Sequence, residues 1–288
     1  MKRLDRETRA RCLHALCEGM AIRAVSRLTG ASKTTLLKLV EDAGRAAAWY
    51  QDRVFHNLYS KRIQVNEIWG FVGAKQKNVA NAKRKDLAYG DAWLWVATDA
   101  DTKLVPSWLV GGRDSEYAMA FMDDLASRLA NRVQLTSDGH KAYLEAVEGA
   151  FGGDIDYAML VKIYGNPPEG EKRYSPAECI GAVKYRIEGN PDPAHVSTSY
   201  SERNNLNIRM HSRRMTRLTN AFSKKIDNHA HAMALHFLYY NFVRVHKTLR
   251  MSPAMAAGVT KHLWEIGNVV DVLEAWEATR VQQFAISK

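Results

Sequence analysis

Ile63-Gln64-Val65-Asn66-Glu67-Ile68-Trp69-Gly70-Phe71-Val72 is the stretch from which the rest of the chain is read. It is rich in β-branched and aromatic residues, which predicts a strand. Outward from it, Ala92–Thr98 predicts a second strand and Lys103–Val110 a third, where Pro106 marks an edge or a bulge. Between the first two, Lys75, Lys77, Lys83, Arg84 and Lys85 form a basic hairpin loop over Lys75–Lys85. Asp114–Arg128 is a helix with Ala118, Phe121, Met122, Leu125 and Leu129 on one face. Val133–Asp138 is a short strand, Lys141–Gly149 a helix and Tyr157–Ile163 a fifth strand.

Three strands, a helix, a strand, a helix and a strand predict a mixed sheet with covering helices. That is the opening of an RNase H-like fold. Residues 165–197 carry Pro167, Pro168, Pro176, Pro191 and Pro193 and are expected to be an irregular insertion. Two long helices are expected next, one from about Ser201 and one over Ser223–His246. A helical tail fills 251–288. Residues 1–45 hold three helical patterns, Asp5–Glu18, Ile22–Leu28 and Ser32–Asp42, punctuated by Gly19, Gly30 and Gly44. Two short helices joined by a glycine-containing turn make a helix-turn-helix. Val25, Leu28, Leu36 and Leu39 are expected to fill its core. Ser32, Lys33, Thr34, Thr35 and Lys38, with Arg23, are expected to face DNA. A structural three-helix cap is the other reading. The expected class is therefore α/β: an all-α helix-turn-helix domain (1–45), a connector (46–60) and an RNase H-like mixed sheet flanked by helices (61–250).

The net charge of +10 over 288 residues points to a polyanionic partner, usually nucleic acid. No apolar run approaches a membrane span, and the charged Met1–Asp5 is not a secretory signal. Cys12, Cys17 and Cys179 are too few and too scattered for a disulfide framework or a zinc ribbon, which fits a reducing cytoplasm.

Asp138 ends a short apolar strand just before Gly139, where a loop can open to a ligand; an ordinary turn aspartate reads the same way. Glu202 lies near a helix start, where it would also complement the helix dipole. Arg203, Arg209, Arg213, Arg214, Arg217, Lys224 and Lys225 follow it with no acid among them. Such a stretch suits a DNA backbone, or else a solvated basic face. The histidines His211, His229, His231, His236 and His246 are expected to be exposed or satisfied in the core, and Trp93, Trp95 and Trp108 to be sheet core.

Gln64–Trp69, Thr136–Tyr143, Ser201–Asn205, Thr216–Lys225 and Tyr239–Leu249 together resemble the insertion-sequence-one family of DDE transposases, over about residues 5–265. The resemblance implies an RNase H-like domain that holds two Mg²⁺ ions, with Mn²⁺ as a substitute, and cuts and joins DNA ends. It assigns the second acid to Asp138 and the third to Glu202. The first falls on position 66, where the family has aspartate and this chain has Asn66. Asparagine is a neutral, weaker ligand for a hard dication, so this chain is expected to be impaired in cleavage while still binding DNA. Glu67 is not expected to substitute, because adjacent strand residues point to opposite faces. The resemblance also implies terminal inverted repeats and target DNA as partners and a homodimer or larger assembly on DNA, while Lys75 and Lys77 of the basic loop are expected to contact DNA. Asn205, Asn241, Arg244 and His246 are candidates for supporting the active site. A bacterial, nucleoid-associated location is implied too. The rival reading is a non-enzymatic DNA-binding protein, a repressor or a domesticated transposase.

Overall fold

The computed structural model describes residues 4–81, 89–165 and 177–286. Three helices open the chain: α1 (Arg6–Cys17), α2 (Ile22–Thr29) and α3 (Lys33–Val54). Asp5 caps α1 by accepting from the Thr8 N–H, and Ser32 caps α3 by accepting from the Thr35 N–H. Gly30 ends α2 in the left-handed region, at φ 72°. Gly44 does not end α3. The helix runs through it to Val54, so most of the expected connector is helical. Gly44 is instead a crossing point: a Cβ there would meet the carbonyl oxygen of His231 at 2.1 Å. Leu28 also departs from expectation. Val25, Leu36 and Leu39 are buried, but Leu28 is 71% exposed.

The sheet follows. β1 (Arg62–Val72), β2 (Gly90–Asp99) and β3 (Trp108–Gly111) form an antiparallel meander. The third strand is shorter than predicted. Pro106 has no N–H to give, and the stretch before it is tied down otherwise, with Ala97 N donating to Ser107 O and Asp99 N to Leu104 O. α4 (Ser115–Arg128) starts at an Asp114 cap, β4 (Gln134–Ser137) pairs parallel to β1, and α5 (Ala142–Phe151) leads to β5 (Asp156–Tyr164), parallel to β4.

The expected irregular insertion contains a strand, β6 (Cys179–Glu188), antiparallel to β5 at the sheet edge. Pro167, Pro168 and Pro176 lie outside the described residues. β6 is solvent-facing almost throughout, so it has no buried face to give an alternating pattern. Its ladder to β5 also shifts register near both ends. The strand order is β3-β2-β1-β4-β5-β6.

α6 (Ser199–His211) and α7 (Ile226–Leu238) follow, and α7 runs on into a π-helical turn at Tyr239–Val243 rather than to His246. Then come the short α8 (Pro253–Ala256) and α9 (Ile266–Ile286). Helices cover both faces of this mixed sheet. α4 and α5 bury Phe121, Met122, Tyr143 and Val147 against Ile63, Val65, Trp95 and Leu135. On the other face Ile208, Met233, Phe237 and Tyr240 pack on Ile68, Leu94 and Val96. The N-terminal helices share one core with α7 and α9, through Leu13, Leu36, Ala47, Leu235, Val270 and Leu273. Arg6 pairs with Asp271 at 2.5 Å and Glu274 at 2.7 Å, and Arg9 with Glu277 at 2.7 Å. No helix among the described residues is long and apolar enough to cross a membrane.

Candidate active site

Residues alternate between the faces of a strand, and the contacts of each strand say which face is which. On β1, Gln64 and Ile68 meet α6: Gln64 Oε1 accepts from the N–H of Tyr200 at 2.9 Å and of Ser201 at 3.1 Å, and Ile68 packs near Ile208. Asn66, between them, shares that face. On β4, Leu135 and Ser137 face α4 and α5, Ser137 Oγ lying 2.7 Å from the Tyr157 hydroxyl. Thr136, paired with Gln64, faces α6, and Asp138 follows just past the end of β4. The parallel register pairs Gln64 with Thr136, and two residues further along each strand come Asn66 and Asp138.

Glu202 reaches the same face from α6. Gln64 fixes the start of that helix by binding two of its free N–H groups, just ahead of Glu202. Asn66, midway along β1, and Glu202, in the first turn of α6, thus lie on one side of the sheet, and Asp138 stands just past the end of β4, the strand beside β1. Asp138 Oδ1 accepts from His140 N at 3.0 Å, and Asn66 Oδ1 from Glu67 N at 2.8 Å. Glu202 Oε1 accepts from Thr198 Oγ1 at 2.6 Å and also from Lys162 Nζ. Sequence reasoning misses Lys162. It lies on β5 in step with Ala158 and Leu160, on the α6 side, and its only sequence signal is a charge inside an apolar strand run.

All three donors are oxygens, the chemistry of a hard dication such as Mg²⁺. Two are anionic and one, Asn66, is a neutral amide. No three His, Cys, Asp or Glu side chains gather as a metal cluster among the described residues, and asparagine is not of those types. The donor set suits Mg²⁺ with one negative charge fewer than an all-carboxylate site.

Glu67 points the other way, as expected, with only 1% of its side chain exposed. It accepts from Arg113 Nε at 3.0 Å and from the Tyr143 hydroxyl at 3.1 Å. Burial, then the charge of Asp138, raises its pKa above the ordinary carboxylate value, against the pull of Arg113. His140 Nε2 lies 3.5 Å from Glu67, without hydrogen-bond geometry. Burial and then Arg113 lower the pKa of that imidazole.

The basic stretch divides. Arg209 is held inside the fold, donating to Met215 O at 2.7 Å and Trp69 O at 3.2 Å, and Arg214 donates to Ser223 Oγ at 2.6 Å. Burial lowers the pKa of Arg214 to about 10. Arg203, Arg213, Arg217, Lys224 and Lys225 are exposed. Lys75 lies over the Trp69 and Phe71 rings, and Lys77 is exposed; Lys83, Arg84 and Lys85 lie outside the described residues.

In the N-terminal helices Arg23, Lys33 and Thr34 are exposed, Ser32 and Thr35 bond to each other at 2.8 Å, and Lys38 pairs with Asp42 at 2.6 Å. Of the four supporting candidates, Asn241 is a fold residue: it is fully buried and bonds both backbone groups of Val105 at 3.0 Å. Asn205 Oδ1 is buried without a partner. Arg244 and His246 lie near Arg203: burial, then Lys103, Arg244 and Arg203, lowers the pKa of His246. No protein-family model matches this chain, and no curated protein matches it.

Proposed function

We propose that this chain is a DDE-type DNA transposase resembling the insertion-sequence-one family, with an RNase H-like core, and that Asn66 impairs its cleavage step. The observation that carries the reading is placement: positions 66, 138 and 202, far apart in sequence, fall on β1, just past the end of the neighbouring β4, and in the first turn of α6, whose start Gln64 of β1 holds. The sheet order supports the RNase H-like part of the proposal, with an antiparallel meander followed by two strands parallel to its first.

Asn66, Asp138 and Glu202 would hold two Mg²⁺ ions, which when bound polarise the scissile phosphate and activate the attacking oxygen. The chain's own residues do the rest. Lys162, already on Glu202, is a cation beside the phosphate position. Arg203, Arg213, Arg217, Lys224 and Lys225 hold the DNA backbone. Arg23, Ser32, Lys33, Thr34 and Thr35 face the terminal repeat, Ser32 also capping the helix that enters the groove. Hydrolysis at an element end frees a 3′-hydroxyl, which then attacks target DNA. Two ends must be joined, so the working form is a dimer or larger assembly on DNA, in the bacterial cytoplasm.

Two observations favour the non-enzymatic rival: the first position is the neutral Asn66, and Glu202 is already paired with Lys162. A paired assay on end-bearing DNA with Mg²⁺ or Mn²⁺ separates the two. Asn66→Asp is expected to cleave and join while the unaltered chain only binds. Equal cleavage by both removes the role of Asn66. Binding without chemistry from either supports the rival.

A further inference from the structure

Glu67 is used by nothing proposed above, yet a buried carboxylate is costly unless it is paired. Its partners come from two places. Arg113, 4.6 Å from the Trp93 ring, belongs to the turn after β3. Tyr143 opens α5, the helix that follows the Asp138–His140 turn, its N–H donates to His140 O at 3.2 Å, and the Tyr143 and His140 rings both pack on Trp95, at 5.5 Å and 5.8 Å. Trp95 is the residue opposite Glu67 in the β1–β2 ladder. The backbone N–H of that same His140 holds Asp138 Oδ1 at 3.0 Å. Glu67 therefore ties the strand that bears Asn66 to the turn that bears Asp138, from behind the sheet. A buried polar group that served stability alone would do as well or better as a packed apolar one.

We infer that Glu67 is a positioning residue that fixes the Asp138–His140 turn from the far face of β1, and with it the direction of the Asp138 carboxylate. The inference rests on the transposase reading for its purpose, but its geometry stands apart from it. Groups that orient a metal ligand from outside commonly change affinity by about 10–100-fold when removed.

The test uses the full chain carrying Asn66→Asp, first without metal and then titrated with Mn²⁺. Hydrogen exchange at the His140 amide reports its bond to Asp138 in the metal-free protein. Adding Glu67→Gln or Tyr143→Phe is expected to speed that exchange about tenfold with exchange in α7 unchanged, and to weaken Mn²⁺ binding about tenfold. Unchanged exchange at His140 overturns the inference. So does faster exchange with Mn²⁺ affinity kept within about twofold. If Glu67→Gln does not fold, Tyr143→Phe, which removes a single oxygen, decides the same question. If Asn66→Asp binds no Mn²⁺, the transposase reading falls, and exchange at His140 still decides whether Glu67 holds the turn.

Discussion

The two faces of the sheet bury ionisable groups in opposite ways. The far face, under α4 and α5, buries Glu67 and surrounds it with donors from Arg113 and Tyr143. The near face, under α6 and α7, buries His229 and His236, His236 with its Nε2 unpaired. Asn66 and Glu202 on that side, and Asp138 just past the end of β4, are left half open. Glu67 is closed off among its partners and can act on the site only from behind, whereas Asn66, Asp138 and Glu202 are open enough to meet a ligand.

Glu67 and the two buried histidines should titrate in opposite directions. Burial, then Arg214, lowers His229 to about 4, and burial, then His211 and Arg244, lowers His236 to about 3. Each contributes stability that is full above its unfolded pKa, near 6.5, and is lost as pH falls toward its folded value. Each loses ~1.4 kcal/mol per pH unit across that window. Glu67 is raised, so its contribution is full below its unfolded pKa and is lost as pH rises through the folded one. Denaturation at pH 6.5 and pH 4.5 is expected to show a loss that shrinks in His236→Gln. A loss unchanged in that variant would remove His236 from the account.

At fixed neutral pH the contrast is between neighbours. Glu67→Ala leaves the buried Tyr143 hydroxyl unpaired and opens a void, for an expected loss of ~2–3 kcal/mol. Asn66→Ala removes a half-exposed amide bonded to the next N–H and is expected to stay within ~0.5 kcal/mol. Urea unfolding of both decides it, and equal losses would erase the distinction between the faces.

What is legible in the sequence is local. Asp5, Ser32 and Asp114 declare helix starts because a cap acts over three residues. Asp138 and Glu202 stand out because strand ends and helix starts can be recognised from a few neighbours. What stays hidden depends on distant partners. Gly44 reads as a stop, yet its meaning is the His231 backbone of another helix. β6 is a strand because β5 pairs with it, and Lys184 and Arg186 on an exposed edge give no apolar rhythm. Lys162 reaches Glu202 from another strand, and Glu67 reaches Tyr143 across the far core. The even run of arginines after Glu202 likewise conceals two kinds of residue.

Those arginines give the finest test, because Arg209 and Arg213 are the same side chain in one basic stretch. Arg209 satisfies two backbone carbonyls, at Met215 and Trp69, so Arg209→Ala is expected to cost ~1–2 kcal/mol of stability. Arg213 is exposed, so Arg213→Ala is expected to leave stability within ~0.5 kcal/mol. On the proposed function its loss should appear on DNA instead. If it neutralises one phosphate, the slope of log affinity against log salt falls by about 0.9. Salt titrations of end-bearing DNA and of unrelated DNA should show the same change, since a phosphate contact carries no sequence information. An unchanged slope would make Arg213 part of a merely solvated face. A change confined to the end sequence would make it a base reader, and the stretch after Glu202 would then be a recognition element rather than a backbone track.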